Sequence, residues 1–155
     1  MVTLSIPELR HAAYLGIDRY IRAIANDRSP LWGQGHNDPA AHILGAWGEC
    51  VVARAIDCYW SETLGHPDGG DADVGAFHVR TAPDPKYRLI LHPEDHDSAP
   101  YVLVVIERLP SFRVAGWCYG SDGKQEKFWG DPAGTGRHAF FVPQSALRPL
   151  VELPS

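Results

Sequence analysis

The chain has 155 residues, of which 45% are hydrophobic, 21% charged and 10% aromatic, an ordinary globular composition that excludes a disordered, collagen-like or coiled-coil chain. Its 14 Lys and Arg stand against 19 Asp and Glu, a formal net charge of −5. That sign weighs against a histone-like or strand-coating role, which needs cations for phosphate, but it leaves room for a metal-dependent nuclease, where the metal handles the phosphate charge.

Ser5, Pro7 and Glu8 read as a helix start, with Ser5 and Glu8 forming a capping box. Leu9, Ala13, Ile17, Ile21 and Ile24 recur every three or four residues, so the expected buried stripe of a first helix ends near Asn26. Arg28 to Asn37 is rich in Pro, Gly and polar residues and reads as a loop. Asp38 and Pro39 open a second helix to about Tyr59, with Ile43, Trp47, Val51 and Cys58 among its buried positions. Gly45, Ala46 and Gly48 make part of that helix narrow enough for close backbone approach.

Past a Gly- and Asp-rich turn region, Gly65 to Gly75, five segments read as strands: Phe77 to Thr81, Tyr87 to Leu91, Tyr101 to Arg108, Phe112 to Tyr119 and His138 to Val142. Short connections predict antiparallel neighbours. The expected fold is therefore α/β (α+β): one domain over 1–155, with two N-terminal helices packed on a mostly antiparallel five-stranded sheet. The longest apolar run, Tyr101 to Ile106, falls far short of the roughly 20 residues that span a bilayer, and the N-terminus lacks the pattern of a secretory signal. A cytoplasmic protein with no membrane partner is expected. Cys50, Cys58 and Cys118 are odd in number and form no C-x-x-C, which favours reduced thiols.

The most informative stretch is Asp71 to Thr81, DADVGAFHVRT. Strand alternation sends Phe77 and Val79 one way and His78 and Arg80 the other, with Asp73 just before the strand. A carboxylate, an imidazole and a guanidinium converging at a strand end suit a divalent metal and a phosphate. The plainer alternative is a solvated face on which Arg80 pairs with Asp73 or Glu49. Glu49, among small and apolar residues on the second helix, needs a partner or a metal if buried. Arg54 and Arg80 are the cations expected to pair with it otherwise.

Other histidines have weaker claims. His36 and His42 straddle a helix cap, His92 and His96 are interrupted by Pro93, and His11, His66 and His138 have no evident partner. Lys124 and Lys127 beside Trp129, with Arg137 and His138 nearby, form a basic and aromatic loop suited either to a nucleic-acid backbone or to plain solvation.

Taken together, the Gly-Glu on an early helix, the aspartate, and a strand of the form (E/Q/H)-x-(K/R) resemble the PD-(D/E)XK nuclease superfamily. More narrowly, the chain is similar to small phage-type members that share G-x-x-G-E-x-x-V/A-A and D-V-G-x-x-x-V-R-T. The matching stretches are Gly45 to Ala53, Asp73 to Thr81, Arg88 to Leu91, Tyr101 to Val104, Val114 to Trp117 and Phe141 to Leu147. The resemblance runs from about Gly45 to Leu150.

It implies a restriction-endonuclease-like core and hydrolysis of nucleic-acid phosphodiesters, DNA ahead of RNA, with Mg²⁺ or Mn²⁺. Glu49 and Asp73 match the metal-holding acids, His78 stands where most members have glutamate or glutamine, and Arg80 where most have lysine. The expected metal ligands are Glu49, Asp73 and His78, with Arg80 on a phosphate oxygen and Mn²⁺ favoured by the histidine nitrogen. Arginine cannot serve as a general base, so a base would be metal-bound hydroxide or a free His78. A homodimer is a further expected assembly. The alternative is a catalytically degenerate binding protein with a protein partner, such as a phage-encoded inhibitor acting in the host-cell cytoplasm; it predicts Arg80 paired with a carboxylate.

Overall fold

The computed structural model describes residues 1–25, 38–61 and 72–152. Its first strand, β1 (Val2–Thr3), leads into α1 (Ile6–Ala25) through the expected capping box. The Ser5 amide donates to Glu8 Oε2 at 2.7 Å, and the Glu8 amide lies 3.4 Å from Ser5 Oγ. Helix α2 (Pro39–Ala55) starts as expected, with the Asp38 carboxylate accepting from the Ala40 amide at 2.9 Å. It stops at Ala55, earlier than the expected Tyr59, because Asp57 adopts a left-handed conformation (φ 52°).

Five longer strands follow close to their expected positions: β2 (His78–Ala82), β3 (Leu89–Leu91), β4 (Pro100–Arg108), β5 (Ser111–Tyr119) and, after a one-turn α3 (Gly120–Gly123), β7 (Ala139–Val142). A two-residue β6 (Trp129–Gly130) precedes β7. They do not build one five-stranded meander. The described residues form a four-stranded sheet, β1-β5-β4-β2, and a separate three-stranded sheet, β3-β7-β6. Strand β2 pairs with β4 in parallel, His78 opposite Tyr101. The chain between Ala82 and Pro100 is long enough for a parallel crossover, which needs about a dozen residues or more, and it carries β3 away into the other sheet.

Alternation along β4 divides the interior in two. Val102 and Val104 face the helices with Val79, Phe112 and Trp117, while Tyr101, Leu103 and Val105 face the second sheet with Leu89, Leu91 and Val142. A strand buried on both faces reads as a continuous apolar run, as Tyr101 to Ile106 does.

Helix α1 buries a different face from the expected one. Ala12 and Gly16 are buried, whereas Ile17, Ile21 and Ile24 are exposed, the last two at 55% and 57%. The cause is the closeness of the helix crossing: a Cβ on Gly16 would stand 2.7 Å from the His42 carbonyl oxygen. Small residues allow that approach, and the isoleucines are turned outward. Gly48 does the same between α2 and β2, where a Cβ would meet Thr81 Oγ1 at 1.8 Å. Gly45 has open space beside it. Among the described residues, no helix is long and apolar enough to cross a membrane.

Candidate functional site

Glu49 is the one buried charged residue among those described, 6% exposed, on the segment of α2 enclosed between α1 and the sheet. Its carboxylate is held by a bidentate fork from Arg19 of α1, at 2.5 Å and 2.7 Å, and by the Trp60 indole N–H at 3.1 Å. Burial pushes the Glu49 carboxyl up, Arg19 and Trp60 oppose that rise, and the charge of Asp73 adds to it. Arg19 loses hydration on burial, yet its hydrogen bonds and charge contact with Glu49 hold it above its ordinary value. A planar fork on a carboxylate is among the stronger protein hydrogen-bond arrangements, and it occupies both oxygens.

Asp73 lies before β2, where its Oδ2 accepts from the Val79 amide at 2.7 Å and so fixes the strand entrance. Its charge acts on Arg19 and Glu49 and also on His78 and Tyr101. Its charge is thus felt on both faces of β2, though its only hydrogen bond among those described is to the Val79 amide. Glu49 and His78 lie on different faces. Helix α2 packs on the Thr81 face of β2, whereas His78 stacks on Tyr101 on the other face, with ring centroids 5.0 Å apart.

His78 is half-buried. Burial pushes its imidazole below the ordinary value, against the opposing pull of Asp73. Arg80 lies 5.3 Å from the same Tyr101 ring centre and pairs with Asp95 at 3.0 Å. Asp95 also accepts from the His92 amide at 2.8 Å, and the Lys124 ammonium reaches the carbonyls of Pro93 and Asp95. The segment containing His92 and His96 is therefore a stapled loop against Arg80, and Lys124 belongs to it rather than to a free basic loop.

The expected metal set does not assemble as a metal site in this arrangement. Among the described residues, no group of three or more His, Cys, Asp and Glu side chains is placed to hold a metal ion. The donor chemistry gives the reason: Glu49 is saturated by Arg19 and Trp60, Asp73 serves the Val79 amide, and His78 faces the second sheet. The donors as placed do not fit Mg²⁺ or Mn²⁺. Arg80 pairs with neither Asp73 nor Glu49, and Glu49 with neither Arg54 nor Arg80; the partners are Asp95 and Arg19.

Arg19, Trp60, Asp95 and Tyr101 were not singled out in the sequence. Arg19 had a legible signal: it follows Ala12 and Gly16 at helical spacing, so it lies on the small-residue seam that α2 covers. Other resembling motifs have structural work. Gly116 has φ 143° and leaves room for the Arg148 carbonyl, and the Gln144 amide donates to the carbonyls of Pro85 and Tyr87, both at 2.7 Å. His11 lies edge-on to Trp60, His42 beside Tyr20, and His138 stacks on Trp129. His36, His66 and the loop Arg28 to Asn37 lie outside the described residues. Comparison with protein-family models, curated proteins and solved structures finds no match.

Proposed function

We propose that the chain is a catalytically degenerate binding protein on a nuclease-like plan, in which positions that a nuclease uses for metal hold the fold together. The observation that carries this reading is the Arg19–Glu49 fork, closed by Trp60 in a buried setting. A carboxylate so held gives a metal nothing that it does not first have to take from Arg19. Arg80, bound to Asp95, fits the same pattern, since its fork is drawn toward a carboxylate rather than left open for a phosphate. A protein partner, as for a phage-encoded inhibitor of a host protein, is the class of function that such a domain retains.

A second reading is favoured by Asp73, whose charge reaches both Glu49 and His78. It is a metal-dependent nuclease acting on DNA ahead of RNA, with Glu49, Asp73 and His78 as ligands once Arg19 has moved away.

Calorimetric titration of Mn²⁺ and Mg²⁺ into the wild type and Asp73→Ala, followed by plasmid and single-strand cleavage assays, separates the two. The binding-protein reading expects no metal heat and no cutting in either protein. Metal binding with cutting, both lost in Asp73→Ala, overturns it in favour of the nuclease.

A further inference from the structure

Helix α1 has two long faces of opposite character. It packs chiefly on α2, through the small-residue seam of Ala12 and Gly16. On the other side Tyr14, Ile17, Ile21 and Ile24 are exposed at 66%, 38%, 55% and 57%. Single exposed apolar side chains are ordinary on a protein surface, but a continuous stripe of large ones marks a contact face.

The spacing of the stripe identifies what it fits. Its steps are three, four and three residues, the strict alternation of a helix-to-helix seam. Such a seam is narrower than the stripe by which a helix usually faces a globular core. The order also reads the same from either end. A second α1 laid antiparallel across the first therefore meets it in four layers: Tyr14 on the partner's Ile24, Ile17 on the partner's Ile21, and the same two in reverse. A patch that matches itself in this way is what a two-fold dimer requires.

The flanking charges match themselves too. Asp18 and Arg22 pair at 2.8 Å beside the stripe, each side chain about half exposed. In the antiparallel register Asp18 comes level with the partner's Tyr20, about 3 Å along the axis from the partner's Arg22. The two pairs then close into a ring of alternating charge. Arg10, the next stripe position toward the N-terminus, comes to the C-terminal end of the partner's α1, where backbone carbonyls carry partial negative charge.

We propose that α1 is the contact face of a two-fold homodimer, with the two helices antiparallel and Ile17 packed on the partner's Ile21 at the centre. A partner of other chemistry would need neither the palindromic spacing nor the self-match of Asp18 and Arg22. Four side chains over roughly 15 Å of helix bury less than the about 800 Å² per partner of a standard interface, so the dissociation constant is on the order of 10–100 µM. This inference does not rest on the binding-protein reading, since the stripe lies on the side of α1 opposite to α2 and Glu49.

The test is sedimentation equilibrium of the full chain from about 1 to about 500 µM, a range that brackets that constant. The wild type should pass from monomer to dimer mass. Ile21→Lys and Ile24→Lys, each setting a charge into the seam, should weaken association at least about ten-fold. Asp18→Arg and Arg22→Asp alone should each weaken it roughly three-fold, and the two together should restore it by rebuilding the ring. Circular dichroism and urea unfolding at about 1 µM, where the chain is monomeric at such affinities, check that each variant folds. A wild type that stays monomeric throughout overturns the dimer. Association untouched by both lysine variants overturns this face, and a double exchange that fails to restore it overturns the antiparallel register. The metal titration does not bear on any of these outcomes.

Discussion

The two sides of the four-stranded sheet use charge in opposite ways. On the helix side, glycine seams bring α1 and α2 close, and Arg19 and Glu49 are spent on each other in a nearly dry setting. On the other side, next to the second sheet, the exposed Tyr87 ring lies with Arg88 and Lys86, which make no ion pair among the described residues. The difference teaches that a charged residue's chemistry follows from its committed partners more than from its motif. Glu49 has both oxygens engaged by Arg19 and Trp60, whereas Arg88, just before β3, keeps an open guanidinium.

The sharpest way to break that comparison is to remove one charge from each side. Glu49→Ala leaves Arg19 buried without its carboxylate and should cost about 3 kcal/mol in urea unfolding. Arg88→Ala should stay within about 0.5 kcal/mol of wild type in the same experiment. A second contrast lies within one helix. Gly48→Ala forces Cβ into Thr81 and should cost about 2 kcal/mol, whereas Gly45→Ala, with open space beside it, should gain up to about 1 kcal/mol.

His78 gives a pH contrast. Its folded pKa lies below the ordinary 6.5, so the unfolded chain binds the proton more readily. Stability should therefore rise with pH up to about 6.5 and fall as pH drops below it, and His78→Gln should flatten that acid limb. Proton NMR of the His78 ring should show a midpoint below 6.5. The smallest effect is expected on the exposed rim of α1: Ile21→Lys and Ile24→Glu should each change stability by less than about 0.5 kcal/mol, as surface positions do.

Much of the local structure was legible because its causes are local. The Ser5–Glu8 box and the Asp38–Pro39 start were read correctly from short-range hydrogen-bonding chemistry. The five longer strands are legible through alternation or, for β4, a continuous apolar run, with Gly or Pro punctuation between them. Pairing was not legible, since nothing in Leu89–Leu91 says that it leaves the main sheet for β7. Isoleucine spacing points to the wrong face of α1, because the smallness of Ala12 and Gly16 decides how close the helices come. The candidate site residues Glu49, Asp73, His78 and Arg80 come from one stretch of chain and one helix, and the sequence does not show which partners they take. Arg19 and Asp95 were missed because an ion pair's second member lies far away in sequence, and many cations are available to fill the role.

The most direct measurement is a double-mutant cycle of Arg19→Met and Glu49→Gln by urea unfolding, run once with EDTA and once with Mn²⁺. If Glu49 is a structural partner of Arg19, the coupling energy should be about 2 kcal/mol and the same in both buffers. A coupling near zero, or a wild type stabilised by Mn²⁺ while Glu49→Gln is not, would contradict that role and return Glu49 to the metal.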